Sequence, residues 1–130
     1  MKRDWSIIRD LLIKVEALES PDNGLSLDGF DCPDEKSARL ISDHMKLLIQ
    51  NGFVQGRLLP CEFGPTVDSA QDFLVHALSW EGHDFLDAIR SDTVWNKIKE
   101  TFATKGIDMT FETIKAVAVA IVPSMLGLSL

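Results

Sequence analysis

The sequence has almost no cysteine. Cys32 and Cys61 are the two thiols in 130 residues. Two are too few for a disulfide scaffold, so both are expected reduced, in a cytoplasm. Long apolar runs are missing too. The longest uncharged apolar stretch, Ala116 to Val122, falls far short of the ~20 residues a membrane span needs, so no membrane association is expected. Lys2, Arg3, Asp4, Arg9, Asp10, Lys14, Glu16 and Glu19 interrupt the first twenty residues. They leave no apolar core for a secretory signal. Positive charge is scarce: 13 Lys and Arg stand against 20 Asp and Glu, a net charge of −7. Residues 1–58 hold 8 cations and 10 anions, and residues 59–130 hold 5 and 10. Because nucleic-acid affinity rests on neutralising phosphates, this balance disfavours an extended nucleic-acid groove. A Gly-rich phosphate loop, a nucleophile elbow and a dinucleotide fingerprint are all absent.

What is present is the composition of a globular chain, 45% hydrophobic and 25% charged, of a size suited to one domain with a helical appendage. Trp5, Ile8, Leu11, Leu12, Val15 and Leu18 recur at helical spacing behind a candidate cap, Asp4. Ser20 to Gly24 stops that helix, and Leu25 to Asp28 alternates as a short strand. Pro33 or Asp34 opens a second helix, whose stripe is Ala38, Ile41, Met45, Leu48 and Ile49 and whose stop is Asn51-Gly52. Phe53–Leu59 and Phe73–Ser79 read as strands around a long loop, Pro60–Asp72. Ser79 or Trp80 then begins a helix with Phe85, Leu86 and Ile89 inside. Ser91-Asp92 caps another with Val94, Trp95, Ile98 and Phe102. Asp108 or Thr110 caps a last one, which Pro123 is expected to break or kink.

The order helix, short strand, helix, two strands, helices is a winged-helix arrangement. The expected fold is therefore α+β. Residues 1–90 form a winged-helix-like domain, and residues 91–130 form a C-terminal extension of two or three helices, packed on it or forming an oligomer interface.

Three blocks carry a family resemblance: Met1 to Leu12, His44 to Val54, and Leu78 to Arg90 with Asp92-Thr93-Val94-Trp95. Together, over about residues 1–105, the chain resembles the domain-of-unknown-function 2513 family of bacterial and prophage proteins. The resemblance implies a winged-helix-like fold. It implies no activity and supplies no site residue.

Four places could hold function. On the helix Pro33–Asn51, Lys36, Arg39, Asp43, Lys46 and Gln50 share one outward face, and cations on such a helix suit DNA binding. Asp34, Glu35 and Asp43 cancel Lys36, Arg39 and Lys46 over the whole helix. The competing reading is a solvated face. His44, His76, His83, Cys32, Cys61, Asp84 and Asp87 could be imagined as metal ligands, yet no pair shows Cys-x-x-Cys or His-x-x-x-His spacing. His44 is expected to serve structure by bonding a strand backbone. Trp80-Glu81-Gly82-His83-Asp84 reads as a joint rather than an acid–base cluster. Ser79 caps it, Glu81 and Asp84 sit in the first turns where carboxylates suit the helix dipole, Gly82 permits a close approach, and Trp80 and Phe85 anchor it in the core. Finally, Ile114, Val117, Ala118, Ile121 and Val122 make an apolar stripe on the last helix, and Met125, Leu126, Leu128 and Leu130 follow it. That stripe either packs inside the chain or forms an oligomer interface.

The leading expectation is a non-enzymatic bacterial or prophage accessory protein, cytoplasmic, with no catalytic residue, cofactor or metal. It acts by self-association or by binding another protein, partly through residues 109–130. The alternative is a DNA-binding regulator using Lys36, Arg39 and Lys46.

Overall fold

A computed structural model describes residues 2–20, 22–60 and 70–125, with side chains as far as Ile121 in the last helix. Cys61, most of the loop Pro60–Asp72, Leu126, Leu128, Leu130 and the side chains of Val122 and Met125 lie outside the described residues. The chain divides into two compact units, Met1–His83 and Asp84–Leu130.

In the first unit, α1 spans Trp5–Glu16. The Asp4 carboxylate accepts the N–H groups of Ser6 at 2.9 Å and Ile7 at 3.3 Å, satisfying donors that the helix start leaves open. Ile8, Leu11, Leu12 and Val15 form its buried stripe, which faces α2 and the sheet. The expected strand at Leu25–Asp28 shrinks to one antiparallel bridge. Leu25 N–H donates to Val75 O at 2.8 Å, and Val75 N–H donates back at 3.0 Å. The reason is local. Leu27–Gly29 close a single 3₁₀ turn, and the Leu27 N–H goes to the Asp72 carboxylate at 3.0 Å instead of to a strand.

The second helix, α2, spans Glu35–Gln50 behind the cap Asp34, whose carboxylate accepts the Ser37 N–H at 2.7 Å. It ends in a Schellman motif. Gly52, at φ 77°, donates to Ile49 O at 3.2 Å, and Phe53 N–H donates to Leu48 O at 2.9 Å. The chain leaves directly into β1, Val54–Leu58, which pairs antiparallel with β2, Phe73–Leu78. The register runs from Val54↔Leu78 to Leu58↔Phe73 and shifts between Gln55 and Gly56. Val54, Phe73, Val75 and Leu78 turn one face of the sheet into the core. This is the winged-helix order, with β1 and β2 as the wing.

α3, Trp80–Ile89, begins one residue after β2. In the second unit, α4 spans Asp92–Lys105, capped by Ser91 and ended by Gly106 at φ 65°, with Val94, Trp95, Ile98 and Phe102 buried. α5 spans Phe111–Met125 and packs on α4. Thr110 and Thr113 cap it reciprocally: Thr113 N–H donates to Thr110 Oγ1 at 3.2 Å, and Thr110 N–H donates to Thr113 Oγ1 at 2.9 Å. The helix runs on to Met125 rather than ending at Pro123. A proline there cannot donate to the Val119 carbonyl, and the lost bond does not stop the helix.

Candidate functional site

Lys36, Arg39, Asp43, Lys46 and Gln50 all lie exposed along α2, as their spacing requires. Three cations and one anion give that stripe a balance of +2. Its acidic flank is the start of the helix. Hydrogen bonds from the Ser37 backbone and hydroxyl hold the Asp34 carboxyl below its ordinary value, so it stays ionised as the cap. Glu35 accepts the Ala70 N–H at 2.9 Å, tying the base of the wing loop to the same helix end. Two further bonds strengthen that tie: Ser42 Oγ donates to the Gln71 carbonyl, and Gln71 Nε2 donates to Leu59 O at 3.1 Å. Over the whole first unit, Met1–His83, 8 Lys and Arg face 14 Asp and Glu, a balance of −6. The +2 stripe is therefore a local feature on an acidic body.

His44 is fully buried, and its partner differs from the one expected. Its Nε2 accepts the Asp4 N–H at 2.9 Å, so the bond runs to the cap of α1 and not to a strand. Since Asp4 N–H must donate, Nδ1 carries the ring hydrogen and donates to Leu40 O at 2.7 Å. The ring thus pins the start of α1 to the middle of α2. The other candidate ligands are dispersed. Cys32 is half-buried, and His83 is half-exposed with its Nδ1 4.0 Å from Glu16. Among the described residues, no group of three or more His, Cys, Asp or Glu is placed to hold a metal ion. No helix among them is long and apolar enough to cross a membrane.

The joint after β2 is built mostly as its residues imply. The Ser79 hydroxyl accepts the Gly82 N–H at 3.0 Å and so caps α3. A Cβ on Gly82 would fall on the Phe53 carbonyl oxygen and lie 3.3 Å from the Leu78 Cβ, which is why glycine stands there. Phe85 is buried and its ring lies 4.9 Å from that of Phe111. Trp80 departs from expectation: it is 82% exposed and anchors no core. The buried residues Gly82, Phe85, Leu86 and Ile89 define the inner stripe of α3, and Trp80 sits on the opposite side of the helix. Phase along the helix, read before residue type, identifies it as a surface group. Asp84 pairs with Lys115 at 3.2 Å and Asp87 with Arg90 at 2.8 Å, exposed ion pairs of small energetic weight.

On α5 the apolar residues sort into two faces. Ile114 and Ala118 are fully buried within the chain. Val117 and Ile121 are half-buried. The opposite face shows Val119 at 72% exposure with Ala116 and Ala120 beside it, also exposed. Spacing alone gathered Ile114, Val117, Ala118 and Ile121, which include the residues that pack. Val119, on the other side of the helix, is not among them. No ionisable side chain follows Lys115 in the sequence.

The model of the family described as Hypothetical protein (DUF2513) matches residues 2–108. An uncharacterized protein of Haemophilus influenzae (strain ATCC 51907 / DSM 11121 / KW20 / Rd) is 35% identical over 127 residues, covering 98% of this chain and 100% of that protein. No solved structure matches.

Proposed function

The chain belongs to the DUF2513 family, whose description assigns no activity, and we propose that it is a non-enzymatic protein acting by association with itself. The observation that carries this reading is the outer face of α5. A β-branched apolar side chain, Val119, stands 72% exposed between two exposed alanines, on a segment with no charge after Lys115. Contiguous exposed apolar surface marks an interface, and the sequence beyond Val119 continues without an ionisable side chain. Two polar groups near the candidate clusters have structural work: Ser79 caps α3, and His44 joins α1 to α2. Two cysteines in the whole chain support a cytoplasmic setting.

Light scattering of the full chain across a concentration series tests the reading, beside Val119→Glu. The full chain should show a mass above that of the 14.5 kDa monomer, and the variant should return it to the monomer. A full chain that stays monomeric at every concentration overturns the reading. Val119→Glu probes the outer face while Ile114 and Ala118, which belong to the core, stay in place.

A second reading is favoured by one observation, the exposed +2 stripe of Lys36, Arg39 and Lys46 on the helix that precedes the wing. It makes the chain a winged-helix DNA binder, against the −6 balance of the same unit. Salt-sensitive retention of a duplex, weakened by Arg39→Glu, supports it. No retention at low salt removes it.

A further inference from the structure

We infer that His44 is a proton-sensitive latch: its neutral ring holds the start of α1 to the middle of α2, and a second ring proton breaks that hold. This goes beyond self-association, since it concerns the unit Met1–His83 alone and needs no second copy.

Two bonds fix the ring. Nε2 accepts the Asp4 N–H at 2.9 Å, and Nδ1 donates to Leu40 O at 2.7 Å. One ring nitrogen is thus committed as acceptor and the other as donor. A second proton has to go to Nε2. There it points at another N–H, and an attraction becomes two donors face to face. The ring is also fully buried, so an imidazolium would be stripped of water.

The surroundings do little to repay that charge. One turn away on α2 stand Leu40, Ile41, Leu47 and Leu48, all apolar, and the adjacent Asp43 is exposed. The elements packed on α2 are α1, β1, β2 and the 3₁₀ turn Leu27–Gly29. The strands bury apolar side chains, Val54, Phe73, Val75 and Leu78. Arg57 on β1 is exposed, His76 on β2 is half-buried, and Asp28 in the turn is exposed. From α1 comes Arg9, a buried cation, which opposes a second positive charge nearby. Among the described residues, Arg9 and His44 are the ionisable side chains that are buried. The Asp4 carboxylate is exposed and accepts the Ser6 and Ile7 N–H groups. Were it to turn to a charged ring, it would leave the helix start that it caps. Repulsion at Nε2 and desertion of the cap both loosen the start of α1.

The direction with pH follows. The closed latch keeps the ring neutral, while the unfolded chain takes up its proton at about pH 6.5, as a free imidazole does. Below that value the unfolded state binds more protons, so the latch stabilises above about 6.5 and fails as pH falls. His83 works in the opposite sense. Its Nδ1 lies 4.0 Å from a Glu16 carboxylate oxygen, a contact that protonation of the ring favours. Substitution separates the two.

Urea titrations of the full chain at pH 7.5 and pH 5.5, beside those of His44→Gln, make the test. Glutamine offers the Asp4 N–H an acceptor and takes up no proton. On acidification the folding constant of the native chain should fall at least about threefold more than that of the variant. About tenfold is the full weight of one excluded proton, one pH unit below 6.5. A difference under about threefold overturns the latch. Should His44→Gln fold poorly, nitrogen-15 NMR of the native ring at pH 5.5 serves. A folded chain whose ring keeps its hydrogen on Nδ1 alone supports the latch, as does a doubly protonated ring beside an Asp4 amide that has lost its protection from exchange. A doubly protonated ring beside a protected Asp4 amide overturns it.

Discussion

Gly82→Ala reverses a familiar sign. Alanine in place of a helical glycine ordinarily stabilises by about 1 kcal/mol, through propensity and a less flexible unfolded chain. Gly82 lies in the first turn of α3, where that gain should apply. Its α-carbon, however, faces backbone. An added Cβ would overlap the Phe53 carbonyl oxygen and approach the Phe53 carbonyl carbon at 3.1 Å. Against an ordinary C···O contact of about 3.3 Å, the overlap with the oxygen is roughly 1 Å. That oxygen cannot swing aside cheaply, because it accepts the Ser79 N–H at 3.0 Å and belongs to the exit from α2 into β1. Relief requires moving the start of α3 off the sheet end, and with it the Ser79 cap on the Gly82 N–H. Overpacking of this kind costs about 1–3 kcal/mol, and the lost cap adds about 1. After subtracting the propensity gain, the net loss is about 1–3 kcal/mol. For a chain of this size that is a fall in Tm of roughly 4–12 °C. Thermal melts followed by circular dichroism, with urea titrations for the free energy, measure it. An unchanged or raised Tm would mean that α3 does not press on the Phe53 carbonyl, and the geometry of the joint would be refuted.

Two further outcomes are specific to single residues. His44→Ala removes both bonds of a fully buried ring and leaves the Asp4 N–H without its acceptor, so urea titration should show a loss of about 2–4 kcal/mol. A loss under about 1 kcal/mol would mean that the ring does not hold α1 to α2. Asp34 has a folded pKa below the ordinary 3.8, because the Ser37 backbone and hydroxyl bond its ionised form. Its contribution is therefore fully present above 3.8 and is lost as pH falls through the lower folded value. NMR titration of the Asp34 carboxyl should show a midpoint below 3.8, and a midpoint at or above that value contradicts the cap geometry.

The helix ends were legible because each is written in a residue whose chemistry is local. Asp4, Asp34, Ser79 and Ser91 each accept a backbone N–H two or three residues on. Gly52 and Gly106 take the positive φ that ends a helix. The wing was legible from two apolar strands beyond Asn51-Gly52. Other features depend on distant parts of the chain. Leu25 to Asp28 alternates like a strand, but whether it pairs is decided by Val75 and Asp72, some 45–50 positions away. The expected strand bond of His44 fails for a similar reason, since its acceptor role is fixed by Asp4, 40 positions away. Residue type places Trp80 in the core, while its direction follows from helix phase. Val119 was hidden because spacing finds an apolar stripe without telling which side the rest of the chain covers. Its exposure becomes visible once α4 is seen to take Ile114 and Ala118.

The bonds that join α1, α2 and the wing have a consequence for how the chain comes into being. They link positions 29, 35, 40 and 45 residues apart, at Ser42–Gln71, Glu35–Ala70, Asp4–His44 and Leu27–Asp72. Contacts this remote return nothing until the intervening loop is closed. Helices of 12 and 16 residues, α1 and α2, are marginal on their own in water. During synthesis, Leu25 has no strand partner until Val75 has emerged. The winged-helix unit thus assembles late and in a single step, once β2 arrives to close it. Until then the growing chain carries two amphipathic segments with their apolar stripes uncovered, the kind of surface that aggregates when it stays exposed.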